Sequence, residues 1–471
     1  MRASSQDRFY FTELSLANVR AFKSEQILKL ADRRGHPARW TLILGENGVG
    51  KTTLLQCLVR MRPIPGFKRD PNGNVAASGN AGKPDYVDPE LAQHANSEMT
   101  TFVRRGTKDA ASIHATLSNA ALTPRHRTKP TRINIGAVIE HKGGELDKVG
   151  FEQVEFSLKK QGPIVIAYGA GRHIGHSNII TIQDRDPNES LFTDAMDLYD
   201  AAEVLGRMHY ATLVEQGQHR TPKAEALDKA RFEAMVSAIA ALLPGVSRQD
   251  IDVRGPELPG LSKLQRGIHV RTPSGQVALA DLSIGYQTMV AWTADLAWRL
   301  FGAYPNSSTP LSEPAIVLID EIDLHLHPQW QRSLRSHLVE HFPAVQFIAT
   351  THSPVTAQES IAAGENVNVV QWDGQEAKII NNPLEPNEWR IDQVLVSDLF
   401  DFGVARSLEA EEKLARRTTL IQKRSLSAAE KRELRELDAL AARLPTALSP
   451  DEQRVRDALR NIKPLPANSG D

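Results

Sequence analysis

Gly45-Glu46-Asn47-Gly48-Val49-Gly50-Lys51-Thr52 carries three glycines, a lysine and a hydroxyl at the spacing G-x-x-x-x-G-K-[ST]. Glycines at these places let successive backbone N–H groups curl around phosphate oxygens, and the helix that follows turns its positive end toward them. Lys51 would then reach the β and γ phosphates, and the Thr52 hydroxyl would bind Mg²⁺. The candidate nucleotide-binding residues are Gly45, Glu46, Asn47, Gly48, Val49, Gly50, Lys51, Thr52 and Thr53, and the ligands implied are ATP and Mg²⁺. A second group, Ile316-Val317-Leu318-Ile319-Asp320-Glu321, ends an apolar run with two carboxylates. Asp320 would share the Mg²⁺ with Thr52, and Glu321 would act as the general base that polarises an attacking water. By itself an apolar run followed by Asp-Glu is a common loop boundary; beside the glycine loop it reads as the other half of a phosphoryl-transfer site.

Such a site needs strands that end at one place. Trp40 to Leu44 is a short apolar run leading into the glycine loop, and Ala315–Ile319 and Val345–Ala349 are continuous apolar runs, the pattern of strands buried on both faces of a sheet. Open α/β sheets bind ligands at the carboxyl ends of their strands, where Gly45 and Asp320 fall. Further strands are expected around Leu14 and Leu16, at Ile164–Tyr168 and, with a turn, over Gly267–Val277, before a long helix from near Tyr286. Apolar residues recur at helical spacing between Leu191 and Leu243, for example Met196, Leu198, Val204, Leu205 and Met208. Residues Pro63 to Arg132 are rich in Gly, Asn, Pro and Ser and read as an insertion or flexible excursion. From about Ser407 the pattern changes again, and two capping boxes, Ser427 with Glu430 and Ser449 with Glu452, open charged amphipathic helices. The organisation expected is an ATPase domain over 1–400, interrupted at about 63–132 and 190–245, and a helical region over 401–471.

At 471 residues the chain has room for two or three compact units, and 41% hydrophobic with 24% charged residues is an ordinary globular composition. Its 56 basic and 57 acidic residues nearly cancel, so contact with nucleic acid would need a local patch. Arg104, Arg105, Lys108, Arg125, Arg127, Lys129 and Arg132 against Asp109 form a local basic excess, which reads as a solvated loop because only Phe102 is there to stack on a base. Cys57, the single cysteine, excludes an intrachain disulfide and sits among Leu54, Leu55 and Leu58 as a small core residue. A reducing, cytoplasmic setting is the expectation, since no apolar signal core or membrane-length run is present. His325 and His327 with Asp323 invite a zinc reading, but a fourth ligand is wanting.

Two more pieces narrow the class. Leu282-Ser283-Ile284-Gly285-Tyr286-Gln287 resembles the ABC signature, and His352 in Ala349-Thr350-Thr351-His352-Ser353-Pro354 resembles the ABC switch histidine. Taken with the glycine loop and Asp320-Glu321, the order resembles the RecF/SMC/OLD-like branch of ABC ATPases. Leu14 to Phe22 (LSLANVRAF), Asp320 to Gln331 (DEIDLHLHPQWQ) and Gln346 to Pro354 (QFIATTHSP) look like its bacterial antiphage-defence members, PtuA-type ATPases of Septu systems and their retron-associated relatives. The resemblance extends over most of the chain, including IVIAYGAGR (164–172) and VSDLFDFGVARSLEAEE (396–412). It departs from the transporter pattern at Ile284 and Tyr286, offers no clear Q-loop glutamine, and leaves Pro63 to Arg132 unmatched.

The resemblance implies an α/β P-loop NTPase fold: an ABC-type ATPase head with a mixed sheet, an inserted helical region and C-terminal helices. It implies ATP-bridged homo-oligomers built from head dimers, in which Ser283 and Gly285 of one chain close the site of the other, with Asp323 to Pro328 as the D-loop. Glu321 and His352 are then the catalytic pair. It further implies a sensor or regulatory scaffold that controls a separate nuclease subunit, with DNA or a phage component as a candidate partner and no membrane partner. The rival reading is a RecF/SMC-like repair or maintenance ATPase that clamps DNA itself; the cytosolic motor of a transporter is a third, disfavoured by the altered signature.

Overall fold

The computed structural model describes residues 8–67, 86–122, 130–142, 145–156, 158, 162–173, 186–193, 196–213, 222–243, 246–254, 267–272, 275–383, 408–421, 423 and 427–443. The chain divides into two compact units, Met1–Glu385 and Pro386–Asp471.

In the first unit a six-stranded sheet runs in the order Val165–Tyr168, Ala315–Ile319, Val345–Thr351, Trp40–Gly45, Asn366–Trp372 and Ala377–Asn381. All its pairs are parallel except the last. Every residue of Ala315–Ile319 and Val345–Thr351 is buried, which is why these strands lack polar alternation. Register aligns Leu44 with Thr351 and Ile319 with Ala349. The loops after Gly45, Ile319 and Thr351 therefore leave the sheet at the same edge.

A second, antiparallel sheet runs Gln26–Lys29, Tyr10–Ala17, Ala111–Ser118, Arg132–Lys142 and Glu145–Glu152. Its inward residues, among them Leu14, Leu16, Ile113, Leu117, Ile133 and Ile135, share one core with Leu54, Leu55, Cys57 and Leu58 of the helix Lys51–Arg60 and with Ile43 and Ile348 of the central sheet. Burial pushes the Cys57 thiol up to about 12, in keeping with an inert core residue.

This arrangement corrects the reading of 63–132 as an excursion. Ala111–Ser118 lies between Tyr10–Ala17 and Arg132–Lys142 and buries Ala111, Ile113, Ala115 and Leu117. Its strand alternation, with Ser112, His114 and Thr116 on the less buried face, is real but is flanked by breaker-rich sequence that masks it. Residues 68–85 and 123–129, with Arg125, Arg127 and Lys129 of the basic excess, lie outside the described residues.

The helical region consists of Ala201–Leu213 and Pro222–Leu242. Met196 belongs to a two-residue strand beside Arg172–His173 rather than to the first helix, because Asp200 stops the chain there: its carboxylate accepts from the N–H groups of Ala202 and Glu203 and starts the helix. The long helix Ile284–Ala303 is tied to the central sheet by a buried cluster. Asp295, fully buried, accepts from the Tyr168 hydroxyl at 2.7 Å, the Tyr199 N–H at 3.0 Å and Arg299 at 2.7 Å. With three donors around it, the buried carboxylate is compensated rather than stranded.

The second unit contains helices Leu408–Ile421 and Ala428–Arg443, joined by Arg416–Glu433, Arg417–Asp438 and Lys423–Glu430 ion pairs. The expected Ser427–Glu430 capping box forms in both directions. Ser449 and Glu452 lie outside the described residues.

Candidate active site

The glycine loop leaves the sheet at Gly45 and enters the helix at Lys51. Gly45 stands at φ +152°, and a Cβ there would sit 2.3 Å from the Val370 carbonyl oxygen, so the neighbouring strand packs directly against bare backbone. The helix Lys51–Arg60 has no side-chain N-cap and no acidic residue in its first turn. Its first N–H groups are thereby left for an anion.

Lys51 is curled back into this loop. Its Nζ lies 2.8 Å from the carbonyl oxygens of Gly45 and Glu46 and 2.8 Å from Nε2 of His352. Burial draws the ammonium down to about 8, while Asp320, Glu321, Asp323 and Glu46 work against that fall. The His352 imidazole is lowered by burial and by the charge of Lys51, which favours its neutral form as an acceptor.

Opposite, the Thr52 hydroxyl donates to Asp320 Oδ2 at 2.6 Å, and the Thr350 hydroxyl donates to Asp320 Oδ1 at 2.5 Å. Thr350 Oγ1 also accepts from the Glu321 N–H at 2.8 Å. Glu321 takes a left-handed backbone, φ +47°, which is uncommon outside glycine and asparagine and turns the chain sharply out of the strand. The Glu321 carboxylate makes no hydrogen bond among the described residues, whereas Asp323 is held by the Thr351 hydroxyl. Ser353 caps the next helix through Val355 and Thr356 and accepts from or donates to nothing in the glycine loop; its hydroxyl donates to Gln331 at 2.7 Å.

Lys51, Thr52, Asp320, Glu321 and His352 thus meet at one sheet edge. Thr53 is buried one step along the helix, 3.4 Å from the Arg20 guanidinium, which also donates to Gln56. Ser283 and Gly285 stand apart from this group. Ser283 is exposed at the N-terminus of Ile284–Ala303, and its hydroxyl does not cap that helix. Gly285 lies against the backbone of the segment after Glu321, where an added Cβ would be 3.4 Å from the His325 carbonyl oxygen. His327 is not engaged with a metal-like cluster: its ring caps the helix Pro328–His341, and no group of three His, Cys, Asp or Glu side chains suited to a metal occurs among the described residues.

Two supporting residues escape sequence reading. Thr350 is visible only as the middle of a motif read for its histidine, yet it braces both Asp320 and Glu321. Arg172, buried at the end of IVIAYGAGR, reaches the backbone of the same two residues from behind. Its distance of about 150 positions from them hides the link; only a buried-strand motif ending in an otherwise unexplained arginine signals it.

Residues 217–357 match the family described as "AAA domain, putative AbiEii toxin, Type IV TA system". Over 102 residues the chain is 48% identical to the retron Ec83 probable ATPase of Escherichia coli, a match covering 21% of this chain and 19% of that protein. Over 122 residues it is 36% identical to the Septu protein PtuA of Bacillus mycoides (strain KBAB4), covering 26% of this chain and 16% of the relative. Each match spans less than a fifth of the relative's length. Among solved structures, the SmcHead bound to the C-winged helix domain of ScpA aligns with a TM-score of 0.42 at 14% identity, over 79% of this chain and 97% of that one. The resemblance to retron-associated and PtuA-type ATPases read from the motifs is borne out by these relatives.

Proposed function

We propose that the chain binds ATP with Mg²⁺ in the loop Gly45–Thr53, hydrolyses it to ADP and phosphate, and uses that cycle as the regulatory scaffold of a bacterial antiphage-defence complex. The observation that carries the reading is the meeting of Lys51, Thr52, Asp320, Glu321 and His352 at the carboxyl edge of one parallel sheet.

The donor set suits Mg²⁺, because the Thr52 hydroxyl and Asp320 carboxylate, 2.6 Å apart, are hard oxygen ligands of the kind that ion takes alongside phosphates and waters. When bound, Mg²⁺ supplies charge neutralisation at the phosphates. The protein's own part is then fourfold. Backbone N–H groups at the start of Lys51–Arg60 hold the phosphate oxygens. Lys51 leaves the Gly45 and Glu46 carbonyls to pair with the β and γ phosphates. Glu321, with its carboxylate uncommitted, takes a proton from water as that water attacks the γ phosphorus and the bridging bond to ADP breaks. His352, released from Lys51, contacts the γ phosphate and registers its departure.

Ser283 and Gly285 are proposed to complete the site of a second copy, which suits the exposure of Ser283 and its uncommitted hydroxyl. Two heads joined around ATP and parted after hydrolysis give a two-state assembly, and binding energy then selects a quaternary arrangement that a separate nuclease polypeptide reads. The similarity to retron-associated and PtuA-type ATPases supports this effector arrangement.

The deciding experiment is Glu321→Gln. ATP affinity should stay close to that of the unaltered protein, turnover should fall by about 10²–10⁴-fold, and the ATP-joined dimer should accumulate on size-exclusion chromatography. Unchanged turnover would remove Glu321 from the chemistry. For the effector, a nuclease co-purified with the chain should respond to Lys51→Ala; an unresponsive nuclease would sink the regulatory part of the reading.

A further inference from the structure

Arg172 is buried, yet it makes no ion pair among the described residues. Its guanidinium is spent on three carbonyl oxygens: Nη1 donates to Gly169 at 3.0 Å and Asp320 at 2.6 Å, and Nη2 donates to Glu321 at 2.7 Å. A buried arginine usually answers a carboxylate bidentately, because taking the charge out of water otherwise goes uncompensated. Here the charge instead lies behind the strand end that presents Asp320 and Glu321, within electrostatic reach of both and of Asp323.

The backbone it grips is the irregular one. Glu321 has φ +47°, a conformation that costs of the order of 1 kcal/mol or more for a residue with a side chain and persists only where neighbours hold it. Thr350 holds Glu321 from the N–H side at 2.8 Å, and Arg172 holds it from the carbonyl side. The same side chain lines a small cavity together with Thr288, Met289 and Trp292 of the helix Ile284–Ala303 and with Ile322 and Leu324.

We infer that Arg172 is a positioning residue for hydrolysis: its fork fixes the left-handed turn at Glu321 and aims the carboxylate at the attacking water. The inference rests on Glu321 acting as the base. Arg172 does not touch nucleotide; it acts through the backbone of Asp320 and Glu321. A lysine cannot replace it, since a single ammonium lacks the planar fork that serves carbonyls lying in two directions.

The test compares Arg172→Lys and Arg172→Ala with Glu321→Gln and with the double variant Arg172→Lys/Glu321→Gln, reading ATP affinity with a fluorescent ATP analogue, kcat and melting temperature. Arg172→Lys should fold and bind the analogue within a few-fold of the unaltered protein, while kcat falls about 10²-fold, as expected of a base displaced by a fraction of an ångström to 1 Å. In the double variant the second change should cost no further turnover, because both remove the same aimed carboxylate. A merely structural arginine would instead lower the melting temperature and binding together, or add its loss to that of Glu321→Gln. A kcat for folded Arg172→Lys equal to that of the unaltered protein overturns the inference; should Arg172→Ala fail to fold, Arg172→Lys still decides. If Glu321→Gln itself turns over normally, the proposed function fails first, and the two failures are distinguishable.

Discussion

The Lys51 ammonium lies 2.8 Å from Nε2 of His352, so the cation that would meet the phosphates and the histidine that would sense them occupy each other. Both are drawn toward their uncharged forms by burial, and Lys51 further disfavours a proton on His352. Nucleotide entry must separate them.

From this pair follows a pH dependence. Burial holds Lys51 at about 8, and a bound triphosphate would raise it, so binding should take up a proton wherever Lys51 has begun to lose its own. Affinity should be full below about pH 8 and fall toward tenfold per pH unit above it. Titration of a fluorescent ATP analogue at about pH 7 and about pH 9 checks this, with roughly tenfold weaker binding expected at the higher value. A flat profile would mean that Lys51 stays charged throughout. Lys51→Ala should abolish binding at both.

A composite site across two copies has its own signature. Ser283 is exposed and caps nothing, so Ser283→Arg should leave folding and single-chain nucleotide binding intact while stopping turnover. Lys51→Ala is inactive for a different reason. Mixing the two dead variants creates mixed dimers in which one site has an intact glycine loop from one copy and an intact Ser283 from the other. Turnover should reappear in the mixture. Persistent inactivity, with mixed dimers shown to form, would place each site within a single chain.

Gly45 tests the packing of the loop itself. Gly45→Ala puts a methyl 2.3 Å from the Val370 carbonyl oxygen at φ +152°, and combined strain and overlap should cost about 2–5 kcal/mol. Gly48 offers the control: φ is +81° but nothing lies within 4 Å of an added Cβ, so Gly48→Ala should cost only about 1 kcal/mol. Urea unfolding midpoints of the two variants should therefore separate clearly, and equal midpoints would contradict the close approach of Gly45 to its neighbouring strand.

The parts of the site that chain order announces were legible because their physics is local. A glycine loop between an apolar strand and a helix, or a buried strand ending in Asp320-Glu321, states its purpose within a dozen residues. Thr350 and Arg172 were not legible as supports, since each acts on Asp320 and Glu321 across sequence gaps that only the parallel pairing closes. The fold shows the same division. The fully buried strands Ala315–Ile319 and Val345–Thr351 could be read directly, whereas Ala111–Ser118 was lost among glycines, prolines and asparagines although it fills the middle of a sheet. Met196 satisfied a helical spacing, but the local cap at Asp200 decided where the helix begins.

The strand that delivers the glycine loop has a consequence for synthesis. Trp40–Gly45 hydrogen-bonds on one side to Val345–Thr351 and on the other to Asn366–Trp372, both made hundreds of residues later. A nascent chain emerging from the ribosome therefore displays the glycine loop long before the loop has a floor, and its early strand must wait with both edges unsatisfied. Capacity to hold a triphosphate would arrive only with nearly the whole first unit, so truncated translation products would be blind to ATP.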